Sequence, residues 1–203
     1  MTDTLRNFLR AETDEAHQRL HEQRSFAALV GGTIELPEYI RLLDRLHGFY
    51  KPLDHAISTA LRDHRAENFD YHWRSDLLGL DLEHFGETSS KSVWSQSSSI
   101  VSPMTVGGVL YVVEGAVLGG SLMDRAACKL LGGQSTAGRC YWAWCRSEGK
   151  HRWALMLKHL DKLSSSDHSV DELVYGARAT FRALGDWLTP LDRPVSNVET
   201  GIA

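Results

Sequence analysis

His17 and His21 stand one helical turn apart in LRAETDEAHQRLH, residues 9–21. A neutral imidazole offers one nitrogen lone pair to a metal or a heme iron, while its second nitrogen is fixed by an acceptor. The competing reading is structural: a half-buried histidine hydrogen-bonded to a neighbour. No HExxH motif is present here, so a zincin-type zinc site is excluded. The paired ExxH motifs of a di-iron bundle are matched only loosely, by DEAH at 14–17 and DLEH at 81–84.

A second stretch, LYVVEGAVLGG at residues 110–120, lies inside the apolar run PMTVGGVLYVVEGAVLGGSLM. Glycine costs about 1 kcal/mol against alanine inside a helix, so this many glycines need a reason. A membrane span is disfavoured by Glu114 near the centre, which costs about 3 kcal/mol on insertion scales. Gly115 and Gly119 have the spacing of a small-residue face that lets another helix approach closely. The same spacing suits a helix that lies flat against a planar ligand. On that reading Gly108, Val112, Gly115 and Gly119 share one bare face, and the glycines let the helix kink.

The elements that must carry these residues are helical. Leu5, Leu9, Thr13, Ala16 and Leu20 form one stripe at helical spacing, predicting a helix over 4–22. SFAALVGGTIELP reads as a short apolar bend stopped by Gly31-Gly32, and Pro37 suits a first helical turn. A long helix follows, with Pro52 predicting a kink or break. Residues 71–85 predict a shorter helix, and the serine-rich ETSSKSVWSQSSSIVSP a surface loop. The glycine-rich helix spans 104–131, GGQSTAGR is a turn, and the helix from Trp142 to Leu163 is expected to break near Gly149. A capping box, Ser169 to Glu172, opens the last helix. Without strand-like alternation or repeats, the chain reads as all-α, with about seven or eight helices. Residues 1–190 form a single domain and 191–203 a flexible tail.

Bulk properties narrow the partners. The net charge of -4, with lysine and arginine scattered, argues against nucleic acid. The N-terminus lacks an apolar signal core, and three cysteines form no CxxC pair or even disulfide framework. Both point to a cytoplasmic protein with no membrane association.

LRAETDEAHQRLH resembles the N-terminal motif of the heme oxygenase family, Leu-Arg/Lys-x-x-Thr-x-x-x-His. LYVVEGAVLGG is similar to the distal-helix signature of its bacterial members, and EGAVLGG looks most like the branch associated with bacteriophytochromes. The resemblance implies a single-domain heme oxygenase-like fold, with heme between the N-terminal helix and a kinked glycine-rich helix. It implies that His17 ligates the iron and that Gly115 and Gly119 form the distal wall, crowding dioxygen toward one meso carbon. Arg10 and Tyr111 match residues that contact the heme propionates. Tyr50, His47 and Arg74 lie on elements that would face or support the distal pocket. Heme b would be both cofactor and substrate, with O2 as co-substrate and electrons from a reductase or ferredoxin. The products would be biliverdin, carbon monoxide and ferrous iron, the bilin serving a bacteriophytochrome.

The sequence departs from the family pattern at Ala116. Relatives carry aspartate or serine there to order a distal water, and a methyl group cannot. The departure keeps open a heme-binding or carrier protein without turnover. A different enzyme of the same fold, thiaminase-like or di-iron, is the third possibility.

Overall fold

The computed structural model describes residues 2–63, 69–87, 92–95, 102–164 and 169–192. Among them are eight α-helices and one short 3-10 helix, with no strand. The boundary proposed for a C-terminal tail falls at the edge of the described residues, and 193–203 lie outside them.

Helix α1 (Thr2–His21) follows its apolar stripe. Leu9 is fully buried, and Thr13 is tied back to the Leu9 carbonyl at 2.7 Å. The expected bend after it is a helix, α2 (Arg24–Gly31), and the Gly31-Gly32 stop holds: Gly32 takes φ 71°, the left-handed conformation that glycine adopts freely. Helix α3 (Leu36–Asp63) runs 28 residues straight through Pro52. A proline inside a helix costs about 3 kcal/mol. Leu46, Phe49, Tyr50, Leu53 and Ile57 are all buried around it, and at about 1.5–3 kcal/mol per buried large side chain they keep the helix continuous. Helix α4 (Arg74–His84) is the short one.

Of the serine-rich loop, residues 92–95 carry no regular structure. Trp94 donates its backbone N–H to the Gly48 carbonyl at 3.0 Å, and its ring lies 4.8 Å from that of Phe49. Ser102 then caps α5 (Pro103–Leu118) by accepting from the Thr105 N–H at 3.1 Å.

The glycine-rich run is two helices rather than one. α5 ends at Leu118, Gly119 is the joint, and α6 (Gly120–Leu131) leaves at 47°. Helix α7 (Cys140–Ser164) is unbroken, against the expected interruption at Gly149. Gly149 is there for proximity: a Cβ on it would sit 3.1 Å from the Val117 carbonyl oxygen, where the end of α5 crosses. The start of α7 is capped from another element. The Asp81 carboxylate of α4 accepts from the backbone N–H groups of Cys140 and Tyr141, the latter at 3.0 Å.

Helix α8 (Val170–Leu188) opens on Ser169 as expected, whose side chain accepts from the Asp171 N–H. The capping box is not closed, because the Glu172 carboxylate instead accepts from the Ser102 hydroxyl at the head of α5. Helices α5 and α8 pack backbone to backbone. A Cβ on Gly108 would lie 2.1 Å from the Leu173 carbonyl oxygen, and one on Gly176 would lie 2.3 Å from that of Thr105. Among the described residues no single helix is long and apolar enough to cross a membrane.

Candidate functional site

A cavity of about 520 Å³ opens between α1 and α5, with α3, α7 and α8 closing it. That volume falls within the range of about 300–1,000 Å³ typical of small-molecule and cofactor sites. Helix α1 supplies one wall: Arg6, Arg10, Thr13, His17 and His21 face the cavity at helical spacing. Helix α5 supplies the opposite wall, with Tyr111, Val112, Gly115, Ala116 and Gly119.

The His17 ring meets the cavity with both edges in contact. Its Nε2 lies 3.1 Å from Nε2 of His21, and its ring centroid is 5.8 Å from that of Phe181. Burial lowers its pKa below the ordinary 6.5, and the His21 and Arg10 charges add to the effect while Asp14 opposes it. The shift favours the neutral form, which has a lone pair to give.

The glycines of residues 107–120 divide into two kinds. Gly107, Gly108 and Gly120 are packing glycines. A Cβ on Gly120 would fall 2.1 Å from Cys145 Cβ, and one on Gly107 would fall 2.5 Å from Leu163 Cδ1. Gly108 thus belongs to the α8 contact, not to the bare face expected of it. At Gly115 a Cβ would meet only Trp153, at an ordinary 3.5 Å, and at Gly119 only its own neighbour's carbonyl at 3.5 Å. Protein packing leaves room for a side chain at both positions, and both line the cavity.

At the joint, the Gly119 N–H donates to the Ala116 carbonyl at 3.2 Å, three residues back rather than four. The Gly115 carbonyl thereby loses the i+4 donor that a regular helix would give it at this wall. Two hydroxyls complete the polar equipment. Tyr50 and Tyr141 line the cavity with rings 6.0 Å apart and a side-chain hydrogen bond between them. Burial pushes the Tyr50 hydroxyl up to about 12 and that of Tyr141 well above its ordinary value, so both stay protonated, one proton serving the bond between them and the other left to donate.

Seven of the nine residues singled out from the sequence meet in this cavity: His17, Arg10, Tyr111, Gly115, Ala116, Gly119 and Tyr50. His47 and Arg74 do not line it. His47 is buried in α3 on the side of α4, its Nε2 facing Gly79. Arg74 is wholly buried behind the distal wall. It lies 2.7 Å from Glu114, which Arg152 also grips through Nε at 3.0 Å and Nη2 at 2.7 Å. Glu114 is thus turned into the bundle and fully buried, not exposed on its surface.

Sequence reasoning missed Arg6, Tyr141, Trp142, Trp153 and Phe181. Arg6 carried a signal, one turn before Arg10 on the same stripe. The other four come from α7 and α8, and nothing local in their sequence marks them.

Comparison with known proteins agrees with this geometry. The profile of the family described as heme oxygenase matches residues 3–189. The fold is similar to heme oxygenase from Neisseria meningitidis, in a structure with NO and CO bound, at TM-score 0.73 and 22% identity over 98% of each chain. It is also similar to heme oxygenase from Leptospira interrogans, at TM-score 0.70 and 17% identity, over 92% of this chain and 98% of that one. No curated protein matches the sequence.

Proposed function

The chain belongs to the heme oxygenase family, whose profile spans nearly all of its described residues, and on that premise we propose that this heme-degrading enzyme binds heme b in the α1–α5 cavity and cleaves it to biliverdin, carbon monoxide and ferrous iron. One observation carries the placement. His17 stands on one wall, and on the other are two glycines whose missing side chains no protein atom excludes. Empty space that packing does not demand is space kept for a ligand.

When bound, heme supplies the iron that activates dioxygen and is itself the ring that is opened. The chain's own residues hold and orient it. His17, on the α1 wall, is the iron ligand. Arg10 and Arg6 bring two cations to the same cavity edge as Tyr111, suited to the propionate carboxylates. The bare backbone of Gly115 and Gly119 admits the flat ring at van der Waals distance and restricts what fits above it.

Ala116 cannot order a water, but its surroundings can. The Gly115 carbonyl, without its i+4 donor, can accept, and the hydrogen-bonded Tyr50–Tyr141 pair keeps one hydroxyl proton to donate. These three take over water ordering and proton delivery in the distal half of the cavity. His47 and Arg74 act from behind the walls, as supports. The resemblance of EGAVLGG to one bacterial branch supports a bacteriophytochrome as the recipient of the bilin, with a reductase or ferredoxin as the electron donor.

The test is hemin titration followed by reduction in air. The wild type should give an imidazole-ligated Soret spectrum that bleaches as bilin and carbon monoxide appear. The His17→Ala variant should lose that spectrum and recover it with added imidazole. Hemin that binds through His17 yet survives reductant and oxygen would leave a carrier in place of the proposed reaction.

A further inference from the structure

The cavity wall formed by α1 presents two imidazoles, and a single iron ligand accounts for only one of them. His21 lies one turn beyond His17, on the same face, and lines the same cavity. The two Nε2 atoms converge to 3.1 Å. Two nitrogens bound to one first-row cation at about 2.0–2.1 Å, at angles between octahedral and tetrahedral, lie about 2.9–3.4 Å apart. The observed separation falls inside that window. Histidines at i and i+4 on one helix face are the spacing by which HExxH helices hold zinc. The helix fixes the spacing before any ion arrives, so little ordering entropy is lost on binding.

From this convergence we propose that His17 and His21 form a two-imidazole site for a first-row divalent cation in the heme-free protein, one that competes with heme for His17. Among the described residues no third histidine, cysteine, aspartate or glutamate joins them at ligand distance. The remaining coordination positions therefore face the cavity, open to water or to a ligand oxygen. Asp14 lines the same cavity one turn before His17 and adds favourable charge without ligating; its carboxylate accepts from Gln18 at 2.7 Å.

The site has a use in the reaction. Once the opened bilin had let go of the iron, His17 and His21 would be the imidazoles beside it in the cavity. The pair would then hold ferrous iron in the cavity until new heme claimed His17. This use rests on the heme-degrading function proposed above; the cation site itself does not.

Cobalt(II) titration of the heme-free protein tests the site, read by its visible d–d bands. The wild type should develop bands of nitrogen-ligated cobalt. The variants His21→Ala, His21→Gln and His17→Ala should each weaken binding by about tenfold or more, as expected when one arm of a chelate is removed. Circular dichroism of the variants establishes that the helices are retained. Zinc should slow hemin uptake by the wild type in proportion to its occupancy. Bands with the same midpoint in wild type and variants, or no bands at millimolar cobalt, would overturn the proposal. Cobalt binding through both histidines in a protein that takes no hemin would leave this site standing and remove the proposed function instead. Hemin binding without cobalt binding would do the reverse.

Discussion

Gly119 and Gly120 are adjacent, yet their missing side chains serve different ends. A Cβ at Gly120 would collide with Cys145, whereas one at Gly119 has no protein atom against it beyond its own helix. Gly119→Leu should therefore leave the thermal midpoint within a few degrees of wild type while abolishing hemin binding, measured by the Soret change. Gly120→Ala should lower stability by about 1–3 kcal/mol, as overpacking does, with hemin affinity falling only as the folded fraction falls. Chemical denaturation at fixed hemin separates the two. The sequence could not sort these glycines, because each kind is defined by what lies opposite, on α7, on α8 or in empty space. The histidine and the glycine pair were legible because each is a local pattern on one helix. Tyr141 was not, since it reaches Tyr50 across a gap of about ninety residues in the chain.

At the scale of the element, α5 has a bare front and a charged back. Glu114, Arg74 and Arg152 tie it to α4 and α7, and Arg152 also donates to the Asp70 carbonyl. Removing one partner of a buried pair leaves an uncompensated charge and costs about 3–5 kcal/mol. Glu114→Leu should show a loss of that size in denaturant unfolding, and a combined change of Glu114, Arg74 and Arg152 to apolar residues of similar volume should restore most of it. The Glu114 that looked awkward in an apolar run is thus explained by residues on two other helices. Asp81 makes a second cross-element contact, capping α7, and burial raises its carboxyl to about 6. A folded-state pKa above the ordinary 3.8 means stability that is full below that value and lost as pH rises through about 6. Between pH 4 and 6 the wild type should lose stability relative to Asp81→Asn. A flat difference between the two unfolding curves over that range would contradict it.

At the scale of the whole molecule, the class, the number of helices and the order of the two walls followed from periodicity and motif. Helix continuity did not. Pro52 and Gly149 are helix breakers by local rules, and both lie within unbroken helices because burial on neighbouring elements outweighs them. The expected kink of the glycine-rich run falls at Gly119, and at 47° it is sharp enough to make two helices of it. His47 and Arg74 were read as facing or supporting the pocket, and choosing between the two needs the register of the packed bundle, which sets both behind the walls.

The two walls of the cavity are held with unequal strength. α5 is pressed between α7 and α8 and locked by buried charge. α1 carries one apolar stripe and, beyond it, an ion pair from Glu12 to Arg178 that is partly open to solvent. Opening free energies follow that difference, so the cavity behaves as a gate with a fixed post and a swinging leaf. α1 is the leaf, and it carries His17, the proposed iron ligand. Amide protons of α1 should exchange with solvent faster than those at the centre of α5, and hemin should protect α1 far more than α5. On the proposed function, admission and release of the ring become local unfolding events of α1, set by the firmness of its hold rather than by the chemistry at the wall.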